Sequence, residues 1–175
     1  VHTANEQAYL SRIRQHVTDL RDLLNACDLT DDMDVAAWFD FLSRMRAIQG
    51  NPSNDYSFLA CMLAKRWLAE RFDIGGFDAA AKPQGAPGLD IDLLTRDGQR
   101  IVGEIKTTVP YSGAKHDLGA QQKASFQKDF SKLNRATADY KFFFVTDTAT
   151  FDIVRQRYAQ EIPGVEIVLL TQHEA

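Results

Sequence analysis

The chain has 175 residues, 45% hydrophobic and 25% charged, with a formal net charge of −4. That length and balance suit one compact domain with an appendage and are ordinary for a soluble globular protein. No apolar run approaches membrane-spanning length. Cys27 and Cys61 lack zinc or CxxC spacing, so the expected setting is a reducing cytoplasm. Val1 stands where a Met would open a chain, so a cut fragment or one domain of a longer protein is expected. No Ser-His-Asp arrangement, phosphate-cradling glycine loop or zinc spacing occurs, so triphosphatase and zinc hydrolase chemistry have no support.

The first predicted helix, Ala4 to Cys27, has a stripe of Tyr9, Ile13, Val17, Leu20 and Leu24. Asp34 is placed to cap a second helix, with Val35, Trp38, Phe39, Leu42 and Met45 as its apolar side. Gln49-Gly50-Asn51-Pro52-Ser53 ends that helix and starts the next. Residues 1–50 are therefore expected to be a helical N-terminal segment for packing, dimerisation or DNA recognition, with 51–175 as the main domain. The third helix runs from about Asn54 to Phe72, with Phe58, Leu59, Met62, Leu63 and Trp67 on its apolar face and Glu70 beside it. A pair between Glu70 and Arg66 is the plain alternative to a functional role. Phe77 to Ala81 is predicted as a short edge strand, followed by a turn through Lys82-Pro83-Gln84-Gly85-Ala86-Pro87-Gly88.

Leu89 to Leu94 then alternates, with Leu89, Ile91 and Leu93 on one face and Asp90, Asp92 and Leu94 on the other. Asp97-Gly98 between apolar runs signals a hairpin. The returning strand, Arg100 to Thr107, puts Val102, Glu104 and Lys106 on one face and Ile101, Gly103 and Ile105 on the other. Glu104 and Lys106 thus point the same way, about 7 Å apart, with Asp90 opposite them. A strand this apolar belongs at the centre of a sheet, where gathered charges cost several kcal/mol unless compensated. Two adjacent carboxylates raise one another's pKa, and a hard divalent ion such as Mg²⁺ with oxygen ligands relieves that.

Pro110 to Lys115 is expected as a loop able to close over substrate, with His116 beside it. Asp117 to Ala138 follows as a long helix striped by Leu118, Gln122, Phe126, Phe130, Leu133 and Thr137. Gln122 is the polar intruder on that stripe, placed either to reach the carboxylates or a phosphate, or to satisfy a buried carbonyl. Lys128, Lys132 and Arg135 form a basic ridge on the other side. From Arg96 to Lys141 there are nine Lys/Arg against five Asp/Glu, a net of +4, so the remainder carries −8. A local basic surface suits phosphate binding whatever the total charge. Lys141 to Thr146 is an apolar run suited to a buried strand, Thr150 to Gln160 a helix, and Val165 to Leu170 a last strand.

Gly88-Leu89-Asp90-Ile91-Asp92 followed by Glu104-Ile105-Lys106 resembles the PD-(D/E)xK nuclease superfamily. Pro87 does not directly precede Asp90, so the match is to the looser form of the motif. The resemblance covers about Asn54 to Thr146 and implies an α/β fold, a central mixed sheet flanked by helices with an αβββαβ core. It implies a metal-dependent endonuclease using Mg²⁺, with Mn²⁺ as substitute, held by Asp90 and Glu104, while Lys106 assists the nucleophilic water. Asp92 shares the face of Asp90 as the less favoured ligand, and Glu70 or Asp55 is implied as an extra acid. DNA is the implied substrate, in a restriction or host-defence setting and as a homodimer; a junction or repair nuclease and a non-cutting nucleic-acid-binding module are the alternatives.

Overall fold

A computed structural model of the chain describes residues 2–27, 33–82, 86–111 and 117–171. The chain divides into two compact units, Val1–Asp55 and Tyr56–Ala175. The first holds α1 (Ala4–Ala26), α2 (Val35–Gln49) and the opening turn of α3 (Pro52–Ala69). Thr3 starts α1 with a capping box: its side chain accepts from the Glu6 N–H while the Glu6 carboxylate accepts from the Thr3 N–H. Asp34 caps α2 by accepting from the Ala37 N–H, as its spacing suggested.

The helix faces in this unit depart from expectation. In α2 the buried residue is Phe41, whereas Val35 and Phe39 are 87% and 74% exposed and Trp38 and Leu42 are exposed as well. In α1, Leu23 is buried while Val17 and Leu24, both on the expected stripe, are exposed. A helix pair buries only a narrow strip of each partner, and apolar residues outnumber the places in it.

The second unit is a mixed four-stranded sheet with helices on both faces. Its strands are β1 (Ile91–Leu94), β2 (Arg100–Lys106), β3 (Tyr140–Val145) and β4 (Glu166–Leu169), in that spatial order. β1 and β2 are antiparallel; β2, β3 and β4 run parallel, joined by crossovers through α4 (Ala120–Arg135) and α5 (Thr148–Ile153). α5 continues as a π-helical turn, Val154–Tyr158, and a 3₁₀ turn, Ala159–Glu161. β2 is therefore interior to the sheet, as its apolar composition required.

Phe77 to Ala81 forms turns, and the expected edge strand is not there; among the described residues no strand stands between α3 and β1. The backbone groups a strand would use are taken locally. The Asp78 carboxylate accepts from the Ala80 N–H, and the Asp78 carbonyl accepts from the Ala81 N–H. The β1–β2 turn spans Thr95 to Gln99 and closes through Gly98 N–H to the Thr95 carbonyl at 3.0 Å, with Gly98 at φ 85°.

The triple phenylalanine of β3 is divided by the strand period. Phe142 and Phe144 join Ile91, Ile101, Ala64 and Leu68 on the α3 side, where Trp67 stacks edge-on to both at 5.1 and 5.6 Å. Phe143 and Val145 join Val102, Phe126, Phe130 and Leu133 on the α4 side. Gly103 lets this sheet close: a Cβ there would meet the Phe144 ring at 3.2 Å and the Phe142 carbonyl at 3.4 Å.

Candidate active site

β1 and β2 pair with Ile91 opposite Gly103 and Leu94 opposite Arg100, so continuing the register sets Asp90 opposite Glu104. Asp90 lies just before β1, where the ladder ends. Its Oδ2 accepts from the Ile105 N–H at 2.9 Å, which pins the carboxylate against β2. Glu104, only 1% exposed, sits next to it. Burial, and then the charge of Asp90, push the Glu104 carboxyl up from 4.5 to about 8; Lys132 pulls the other way. Asp92 is excluded from the pair because both its oxygens receive the Arg100 guanidinium, at 3.0 and 2.8 Å.

Lys106 shares the face of Glu104, as the period of two required, and meets α4. Its Nζ lies 2.5 Å from Asp129 Oδ2 and donates to Ser125 Oγ at 2.8 Å, with the Phe126 ring 5.4 Å away. Asp129 is buried and uses its other oxygen, Oδ1, for Lys132 at 3.0 Å. Lys132 Nζ also donates to Glu104 Oε1 at 2.9 Å. The result is one chain of contacts, Glu104–Lys132–Asp129–Lys106–Ser125, with Asp90 beside its first member.

Asp129, Lys132 and Ser125 were not assigned to this site from the sequence. Asp129 falls three residues after Phe126 and four before Leu133, a charged residue inside the apolar stripe of α4, and that placement is the signal that identifies it. Lys132 turns inward to the two acids, which breaks the expected basic ridge; Lys128 and Arg135 remain exposed. Much of the basic segment is likewise engaged within the protein: Arg100 with Asp92, Lys123 with Asp117 at 2.6 Å, and Lys141 with the Leu133 carbonyl.

The proposed auxiliary residues have other partners. Gln122 accepts from the Gly119 N–H and donates to the Val109 carbonyl, so it secures the start of α4 and takes the structural of its two expected roles. Glu70 is exposed and lies 3.4 Å from Arg71, its neighbour, rather than pairing with Arg66. α3 ends at Ala69, and Glu70 closes it through its N–H to the Arg66 carbonyl at 3.1 Å, with its side chain exposed. Asp55 lies in the first unit and faces Arg12 at 3.8 Å and His16 at 3.7 Å. Residues 112–115 of the expected closing loop, and His116, lie outside the described residues.

Among the described residues no group of three or more His, Cys, Asp and Glu side chains is gathered for a metal. A magnesium ion at this site would draw on two carboxylates, Asp90 and Glu104, and complete its shell from water and substrate oxygens, which is the usual habit of that ion. The pair fits such an ion: a buried carboxyl raised to about 8 by burial and an adjacent acid is the electrostatic deficit that a cation offsets. Among the described residues no helix is long and apolar enough to cross a membrane. Comparison with family models, curated proteins and solved structures returned no match.

Proposed function

We propose that this chain is a metal-dependent phosphodiesterase, an endonuclease acting on DNA. The observation that carries the reading is the adjacency of Asp90 and the buried Glu104 at one end of the central strand, with Lys106 on the same face. A divalent ion, when bound, supplies Lewis-acid stabilisation for charge developing on the phosphate oxygens. Asp90 and Glu104 would hold it. Asp90 is exposed and keeps one oxygen free of the Ile105 N–H, so the pair is open to solvent on its side.

Lys106 is 15% exposed, with its ammonium fixed from below by Asp129 and Ser125. Held so, it orients the attacking water or steadies the scissile phosphate without the entropy loss of arresting a free lysine. The choice of DNA follows the resemblance to PD-(D/E)xK nucleases and the exposed Lys128 and Arg135 on α4. A restriction or host-defence role and a homodimer, which would cut both strands, are the finer forms of the proposal.

The test is plasmid incubated with Mg²⁺. Nicking or linearisation is expected from the wild-type chain, and its loss from Asp90→Ala and from Lys106→Ala. Undiminished cutting by both variants would refute the assignment. Absence of cutting by the wild type on linear, supercoiled and branched DNA would favour a module that binds without hydrolysis.

A further inference from the structure

Lys132 occupies a position that the proposed chemistry does not require. Its ammonium lies 2.9 Å from one oxygen of Glu104 and 3.0 Å from one oxygen of Asp129, which places it between two almost fully buried carboxylates. Asp129 cannot lean wholly to Lys132, because its second oxygen is taken by Lys106 at 2.5 Å. Glu104 in turn is adjacent to Asp90 across the β1–β2 pair, where the Ile105 N–H holds the Asp90 carboxylate at 2.9 Å. One carboxylate, Glu104, is therefore the shared partner of a resident lysine and of any cation that Asp90 helps to hold.

We propose that Lys132 is a resident counter-cation that competes with the divalent ion for Glu104, and that Asp129 is the acceptor that draws the lysine aside when the ion enters. This rests on the reading of Asp90 and Glu104 as metal ligands. A lysine and a divalent ion on one carboxylate repel each other, and the low-dielectric surroundings of Glu104 and Asp129 weaken that repulsion little. The lysine gives the ionised Glu104 a partner while the ion is absent, at a cost in affinity for the ion. Asp129 limits that cost because it already holds the ammonium at 3.0 Å, so the lysine keeps a charged partner when it gives up Glu104. Lys132 and Asp129 are positioning residues in this scheme.

The two residues act in opposite directions on ion affinity, and this gives the test its discrimination. Mn²⁺ is titrated into the full chain at pH 8.5, by calorimetry and by electron paramagnetic resonance of the free ion. Lys132→Met is expected to bind Mn²⁺ about tenfold more tightly than wild type, or more, because a like charge beside the ligand is gone. Asp129→Asn is expected to bind it more weakly, since the lysine then has Glu104 alone. Lys132→Arg, which keeps the charge, is expected to stay near the wild-type value. Thermal melts establish that each variant folds, and Lys132→Gln replaces the Met variant if that one does not.

Equal or weaker binding by both Lys132→Met and Lys132→Gln would overturn the inference while leaving Asp90 and Glu104 as ligands. A fall in affinity for the Lys132 and Asp129 variants together would mean that the pair is merely structural. No saturable Mn²⁺ binding by wild type, or binding unaffected by Asp90→Asn, would overturn the metal reading itself.

Discussion

The two faces of the sheet are built from the same strands and do different work. On the α3 side, Ile91, Ile101, Phe142, Phe144 and Val168 meet Ala64, Leu68 and Trp67 in an uninterrupted apolar layer. On the α4 side the apolar layer formed by Val102, Phe143, Val145, Phe126 and Phe130 gives way at the end of β2 to Glu104, Lys106, Asp129 and Lys132. The first face follows from hydrophobic burial alone. The second puts two acids and two lysines where apolar side chains would serve stability at least as well, and a stability cost of that kind is the usual mark of a functional site.

The largest effect should separate the faces outright. Glu104→Gln is expected to lower Mg²⁺-dependent cutting by about three orders of magnitude, while changing stability little at pH 6, where the carboxyl is itself protonated. Phe144→Ala on the other face is expected to do the reverse, costing about 3–5 kcal/mol in denaturant unfolding with Mn²⁺ affinity retained. If both substitutions reduced stability equally, the distinction between the faces would fail.

The pH dependence of stability sharpens the same contrast. In the absence of divalent ions, Glu104 carries a folded-state pKa raised to about 8 from 4.5, so the folded protein binds its proton more tightly than the unfolded chain does. Its contribution is full below about 4.5 and is lost as pH rises towards 8, on the order of a few kcal/mol. Asp117 works the other way. Its hydrogen bond from Lys123 is the main cause of a value lowered to about 2 from 3.8, so its contribution is present above 3.8 and is lost as pH falls towards 2. Urea melts across pH 2 to 9 should therefore show greatest stability on the acid side of neutrality. Mn²⁺ should release nearly one proton on binding at pH 7 and little at pH 9, read by calorimetry in buffers of different ionisation enthalpy.

Smaller effects follow at the hairpin. Gly103→Ala forces a methyl against the Phe144 ring and is expected to cost about 1–3 kcal/mol. Asp92→Ala removes an exposed pair with Arg100 and is expected to cost less than about 1 kcal/mol, with cutting unchanged. A large loss of activity from Asp92→Ala would move the ligand assignment from Asp90 to its neighbour.

The hairpin and its charged face were legible because three local rules agree there: alternation in both strands, Asp-Gly between them, and an apolar second strand that must be interior. These rules set Asp90 opposite the region of Glu104 and Lys106 and put those two on one side; the one-to-one register with Glu104 comes from the strand pairing. The helices were less legible, since α2 has more apolar residues than its packing strip can take. Phe41 is buried while Val35 and Phe39 face outward. Phe77 to Ala81 has the composition of a strand, but the Asp78 side chain and backbone capture the neighbouring N–H groups in a turn. Asp129 and Lys132 were obscured for a different reason. They meet residues of β2 that lie 23 or more positions earlier; the place of Asp129 in the apolar stripe marks a buried charge but names no partner, and Lys132 has no such mark.

The central claim is that Asp90 and Glu104 together hold one divalent cation, and anomalous diffraction from crystals grown with Mn²⁺ tests it most directly. The expected result is a single peak in contact with both carboxylates, missing from crystals of Asp90→Asn. A peak elsewhere with none between these two acids, or an unchanged peak in the variant, would contradict it.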